Sequence, residues 1–345
     1  MEDKDAVWRE TTKHERNMRI FREELDGFLP DKVLDFHVHV WPEAVLPAGE
    51  TFSCAGHSVT KYDVGDLARD LAETYPGRET AAVCFGLPDA SYDREANDRY
   101  VAAACDARRF FPLRLFDPNE TDRRAVRQDV IDGGFLGLKP YHVYVRDTPP
   151  DDVEIARMLP PWIMDLARDL RLIVMLHLPR RGRLADPVNQ RQLAELCAAW
   201  PAVPVVLAHI GRAYFLKNIV GSLDRLKGFP NLYFDLAMLN NADVLEYLFR
   251  NASPDRILYA TDTPIALAAG KSVEINDQYT YVTPVPWHLS ISDNRGKLVF
   301  TSFLYEGLRA IRKAVERAGL PRAFVEDIFW RNGMRLLRET AAARR

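Results

Sequence analysis

The chain has 345 residues, 47% of them hydrophobic and 28% charged, with a formal net charge of −3. This composition excludes disordered and fibrous classes, and near-neutral charge without a long Lys or Arg run makes nucleic acid an unexpected partner. No apolar stretch reaches bilayer-spanning length, the charged start MEDKDAVWRETTKHERNM lacks a secretory apolar region, and Cys54, Cys84, Cys105 and Cys197 read as reduced thiols, so a soluble, cytoplasmic protein without membrane partners is expected.

The first predicted element is a polar helical extension within 1–30, ending near Leu25. The apolar run VLDFHVHV (33–40) follows, and the two-residue period of a strand puts His37 and His39 on one face. Two neighbouring nitrogen donors there are half of a zinc-like coordination sphere. Behind this strand, 45–60 is a candidate rim loop carrying on from Trp41, followed by a helical pattern at 66–75, a strand at 81–86 and a helix at 95–109. Strands at 111–116 and 135–141 come next, the second carrying Lys139 and Tyr141, with His142 just beyond. A helix at 161–171 leads into the strand 172–178, where LIVMLHL ends at His177 and is followed by Arg180, Arg181 and Arg183. After a helix at 190–200, the strand 203–210 ends VVLAHI with His209, and Arg212 follows it. The strand 232–238 holds Asp235, a helix spans 242–250, and the eighth strand, 257–261, runs into Asp262 in ILYATDTP. The segment 263–297 is too long and aperiodic for an ordinary connection, and Tyr279, Tyr281 and Trp287 mark it as an ordered lid, with a dimer contact as the alternative. Helical patterns at 304–318 and 322–338 close the chain.

Eight short strands rich in Val, Ile, Leu and Phe, alternating with amphipathic helices, predict an α/β fold: one (β/α)8 TIM barrel domain over 1–345. In such a barrel the C-terminal strand ends converge, so His37, His39, His177, His209 and Asp262 become neighbours. A single His at a strand end is ordinarily a hydrogen-bonded core residue. Four plus an Asp at the same end of eight alternating units point to a shared site.

The ordered set DFHVHV, LHLP, AHIGR, ATDTP and IFWRNGMRLL resembles the amidohydrolase superfamily, in particular the amidohydrolase-related branch that includes aminocarboxymuconate-semialdehyde decarboxylase. The resemblance implies one divalent metal held by His37, His39, His177 and Asp262, with His209 as general acid/base, Asp262 assisting, and a homodimer. Such donors suit zinc, the first expectation, and also manganese, iron or cobalt. Lys139 falls where some superfamily members carry a carboxylated lysine bridging two metals, and is preferred here as a charged contact to the site or substrate. Arg212, where the family more often has a small residue, is a candidate substrate contact together with Arg180, Trp41, Tyr141 and His142. Gly333 stands where the closing motif more often has Ala. The first expectation is a hydrolase acting on a small, anionic amide, lactone or ester through a metal-activated water. The alternative is non-oxidative decarboxylation of an aromatic or unsaturated carboxylic acid.

Overall fold

A computed structural model describes residues 15–293 and 295–342. The predicted extension up to residue 14 lies outside the described residues. Eight strands, β1 (Lys32–His39), β2 (Glu79–Phe85), β3 (Phe110–Phe116), β4 (Gly137–Pro140), β5 (Ile173–Leu176), β6 (Val205–Leu207), β7 (Leu232–Asp235) and β8 (Ile257–Leu258), lie side by side in chain order. Every neighbouring pair is parallel. Strand β8 is too short to complete the ring, and the chain beyond it does so. The N–H of Phe36 donates to Tyr259 O (2.9 Å), that of Asp262 to His37 O (2.9 Å) and that of His39 to Thr263 O (2.8 Å). The architecture is a (β/α)8 TIM barrel.

Helices Val64–Thr74, Arg94–Ala104, Arg123–Asp132, Pro187–Ala199 and Ala242–Asn251 return the chain between strands. Each opens on an Asp or Asn whose side chain accepts from first-turn N–H groups, so local sequence sets where these helices begin. Strand residues divide between two cores. Leu34, Phe36, Val83, Phe85, Leu113, Ile173, Met175 and Val206 fill the barrel interior, while Val33, Ala82, Cys84, Val174 and Leu207 face the helices.

The division changes sense within β1. Leu34 and Phe36 belong to the interior, yet Val38 and Val40 belong to the helix-facing core. A register shift between Asp35 and Val38 inserts one extra residue against β2, and this bulge reverses which parity faces the axis. It is what turns His37 and His39 inward above Phe36.

At the opposite end the closing helix, Asn332–Ala342, plugs the barrel with Leu336 and Leu337. Gly333 lets it approach: a Cβ there would lie 2.6 Å from Leu34 Cδ2 and 3.1 Å from Phe36 Cδ2, so an alanine would make those side chains shift. The segment predicted as a loop over 263–297 contains a small sheet. Strands β9 (Lys271–Ile275) and β10 (Gln278–Thr283) form a hairpin, and β11 (Ser290–Ser292) pairs parallel to β10. The rim segment after β1 forms a second short ribbon, Phe52–Cys54 with His57–Val59. Among the described residues, no helix is long and apolar enough to cross a membrane, and no disulfide joins Cys84, Cys105 or Cys197.

Candidate metal centre and active site

The ends of β1, β5, β6 and β8 bring His37, His39, His177, His209 and Asp262 to one mouth of the barrel. Ligand atoms of His37, His39 and Asp262 lie within 4.8 Å of one another. The Nε2 atoms of His37 and His39 stand 3.4 and 3.2 Å from Asp262 Oδ1, and His209 Nε2 stands 3.9 Å from Oδ2. His177 lies outside that compact trio, its ring 5.4 Å from the ring of His209, and its Nδ1 is buried without a hydrogen-bond partner.

The other ring nitrogens explain how these groups are held. His39 Nδ1 is 2.8 Å from Gly86 O and His209 Nδ1 is 3.0 Å from Ala237 O; a carbonyl only accepts, so both Nδ1 atoms carry the proton. His37 Nδ1 is 2.8 Å from Asp235 Oδ2, whose other oxygen accepts from the N–H groups of His209 (2.7 Å) and Ala237 (3.1 Å). Asp235 therefore orients the imidazole of His37 and anchors the backbone of His209 at once. Asp35 acts similarly, accepting from the N–H of His37 and from both N–H and hydroxyl of Thr261, which ties β1 to the end of β8.

With every Nδ1 protonated, three bare Nε2 lone pairs converge on one carboxylate. Burial, then Lys139, holds His37 well below its ordinary range, and burial lowers His209 as well. Burial alone would raise Asp262, but the facing imidazoles outweigh it and keep the carboxyl well below its usual range. The geometry itself, three Nε2 atoms facing one carboxylate at 3.2–3.9 Å, leaves a place for one positive charge between the nitrogens and the oxygens. Imidazole and carboxylate donors with anchored second nitrogens fit a divalent metal ion.

Backbone strain concentrates here. Asp262 has φ +72°, and His209, Ile210, Gly211 and Arg212 form a left-handed turn with φ of 57°, 53°, 64° and 64°. The predicted strand 203–210 stops at Leu207 for this reason. Left-handed geometry in adjacent non-glycine residues persists only where the surroundings enforce it, and such strain gathers at functional sites. Gly211 is required within the turn, because a Cβ would meet Leu178 Cδ1 at 2.9 Å.

Around this centre, Lys139 is wholly buried, its Nζ without a hydrogen-bond partner, 4.7 Å from the Phe85 ring. Burial pushes its pKa down to about 8. Tyr141 stacks on His177 at 4.3 Å and His142 lies 5.3 Å from the same ring. Arg212 donates to Leu178 O (3.1 Å) and, after burial, is the main influence holding His142 down, at about 4, and His177 below its ordinary range. Arg180 is engaged elsewhere, with its Nε 3.0 Å from Asp186 Oδ1 and Nη1 on Asp152 O. Trp41 is fully buried, donating to Thr60 O and packing on Phe52 and Tyr62 beneath the rim ribbon. Both side chains are engaged in holding their own loops. Two contributors escaped sequence reasoning: Phe85, 5.0 and 4.6 Å from the His37 and His39 rings, and Tyr214, 5.9 Å from His209. Phe85 was legible as the last apolar residue of its strand, whereas nothing local marks Tyr214.

Residues 34–338 match the family model described as Amidohydrolase. No curated protein matches the sequence. Among solved structures, amidohydrolase 2 from Bifidobacterium longum subsp. infantis is 18% identical with a TM-score of 0.56, over 89% of this chain and 99% of its own. The 2,6-dihydroxybenzoate decarboxylase from Rhizobium is 15% identical with a TM-score of 0.52, over 90% and 99%. The 5-carboxyvanillate decarboxylase from Sphingomonas paucimobilis is 13% identical with a TM-score of 0.52, over 90% and 99%. At these identities the likeness is one of fold.

Proposed function

The chain belongs to the amidohydrolase family, and from that premise we propose that it is a metal-dependent enzyme that removes carbon dioxide, without oxidation, from a small aromatic or unsaturated carboxylic acid. The reading rests on the positive lining of the mouth: Arg212 bears on His177, His142 and Tyr141, and Lys139 is buried beneath Tyr141 with no hydrogen-bond partner. Such a site selects anions. Two similar structures are decarboxylases by name, which agrees with this choice over the hydrolase expected first.

His37, His39, His177 and Asp262 would hold the metal, which when bound supplies a Lewis-acid anchor for a carboxylate and its neighbouring oxygen. Asp235 and Gly86 keep the Nε2 atoms of His37 and His39 free for that role. His209, its Nδ1–H fixed on Ala237 O, presents Nε2 to the mouth and can deliver the proton that replaces carbon dioxide. Arg212 orients the substrate anion. Tyr141 and Phe85 supply flat apolar faces for its ring, and Tyr214, Tyr279 and Tyr281 limit water. We read residues 1–345 as one catalytic unit, with 1–30 and 263–297 as its extension and lid.

A second reading, hydrolysis, is favoured by the 3.9 Å pairing of His209 with an ionised Asp262, which can take a proton from an attacking water. The test is a panel of hydroxybenzoates, unsaturated acids, lactones and amides, with the metal-loaded protein in 18O-labelled water. Release of carbon dioxide without 18O in the product supports the lyase; an 18O-labelled new acid without carbon dioxide replaces it with the hydrolase.

A further inference from the structure

We propose that a groove under the N-terminal face of the barrel, on the side away from the metal centre, binds a phosphate that carries a planar aromatic base, the chemistry of a nucleotide. The inference goes beyond the proposed function and stands without it.

The groove has a volume of about 470 Å³ and lies where the start of β1 meets the closing helix and the turn Asp327–Arg331 before it. A cavity of this size suits one small organic ligand. Active sites in TIM barrels lie at the opposite, C-terminal face, where the histidines gather here, so the groove is separate from that site. Trp330 and Met334 supply its apolar surface. Both rest against the core of the barrel interior and both stay partly exposed, and Lys32 Nζ stands 5.4 Å from the centroid of the Trp330 ring. An apolar surface and a positive charge therefore share one recess.

The rest of the wall is cationic. Arg331, Arg335 and Arg338 follow one another at i, i+4 and i+7, which puts three guanidinium groups on one helix face. Arg322 and Lys32 join them, against two acids, Asp31 and Glu326. Like charges at helical spacing cost stability unless something answers them. Protein carboxylates answer these unevenly. Arg331 pairs with Glu326 and with Asp327 (3.2 Å), and Lys32 with Glu79 (2.5 Å), but the side chains are partly exposed and such pairs are weak in water. Arg322 directs its donors to the carbonyls of Phe28 and Leu29, which carry no net charge, and stands 4.0 Å from Glu326. Arg335 donates to Asp255 O (2.7 Å) and comes no closer than 3.9 Å to a carboxylate. For Arg338, exposed at the end of the row, the described residues provide neither an ion pair nor a hydrogen bond.

A carboxylate matches a single guanidinium fork. A phosphate offers three terminal oxygens and nearly two negative charges, so it suits a row of guanidinium groups, with Arg335 and Arg338 as its receivers. The indole beside them accepts any flat base by stacking. The ligand is thus held by its charge at one end and by its ring at the other.

The test is titration calorimetry at low salt with adenosine monophosphate, adenosine and ribose phosphate, on the metal-loaded wild type, Arg338→Gln and Trp330→Leu. The wild type is expected to bind the nucleotide about tenfold or more tightly than either fragment. Arg338→Gln should weaken the nucleotide about threefold to tenfold while adenosine stays within about twofold, and Trp330→Leu should bring the nucleotide down to the level of ribose phosphate. Urea melts check that each variant is folded; Arg338 has no partner to lose, so its variant decides the matter even where Trp330→Leu unfolds. A nucleotide that binds wild type no more tightly than one of its fragments overturns the proposal. Nucleotide affinity unchanged in Arg338→Gln overturns it as well, because the ligand is then held elsewhere, the metal centre included.

Discussion

Asp235→Asn tests how the imidazoles are oriented. The carboxylate receives three hydrogen bonds: His37 Nδ1–H on Oδ2, and the His209 and Ala237 N–H groups on Oδ1. An asparagine has one oxygen for these two positions. Keeping it at the Oδ1 position preserves two bonds, whereas the flipped amide preserves one, so the NH2 group will face His37. A donor then confronts a donor, and the cheapest repair moves the His37 proton to Nε2, the nitrogen proposed to hold the metal. Losing a bond to a charged acceptor costs about 1.5–3 kcal/mol, offset in part because a buried carboxylate is removed. Metal affinity is expected to fall roughly 10–100-fold, equivalent to about 1.4–2.7 kcal/mol. Competition against a chromophoric chelator measures the affinity, and urea unfolding of the metal-free variant measures the structural share. Affinity within twofold of wild type, accompanied by lower stability, would show that Asp235 is only a structural acceptor.

Three further outcomes are expected. Lys139→Met replaces a buried, unpartnered ammonium, so the metal-free variant should be more stable than wild type by ~1–3 kcal/mol at pH 7, while turnover falls about 100-fold or more. The folded-state pKa of about 8 lies below the ordinary 10.5, so the penalty on wild type is full below pH 8 and is relieved as pH rises toward 10.5. Urea melts should show the gap between the two proteins closing across that range, and a constant gap refutes the assignment. Gly211→Ala places a Cβ 2.9 Å from Leu178 Cδ1 at φ +64°, and a loss of about 1–3 kcal/mol in the same melts is expected; unchanged stability would mean the turn relaxes freely. Dialysis against a chelator should remove about one equivalent of transition metal and all turnover, restored by readdition, whereas two equivalents by elemental analysis would promote Lys139 to a bridging carboxylated ligand.

The barrel was legible because eight apolar runs and the amphipathic stretches between them are local signals, each readable without its neighbours. The His37–Val38–His39 pair was legible for the same reason. What alternation did not reveal is that Phe36 and His37 both turn toward the axis, since the bulge depends on register against β2 rather than on any residue in β1. The hairpin of β9 and β10 does carry a local signal: Asn276 and Asp277 turn with φ of 49° and 59° between alternating strands. Arg180, Arg181 and Arg183 look alike in sequence, and only the third dimension shows that Asp186 answers one while tyrosines shelter another. Trp41 had the composition of a pocket wall but lies beneath a ribbon whose pairing is not local.

The seam of the barrel has a consequence for how this protein comes into being. His37 and His39 arrive on the first strand and Asp262 just past the last, and they meet where Asp262 N–H donates to His37 O and His39 N–H to Thr263 O. The proposed carboxylate ligand is therefore apart from the histidines until the whole ring has wrapped, so a chain that stops short of Asp262 offers a metal imidazoles alone. The ion would act as a clasp on the finished molecule, and its capture would report that assembly is complete.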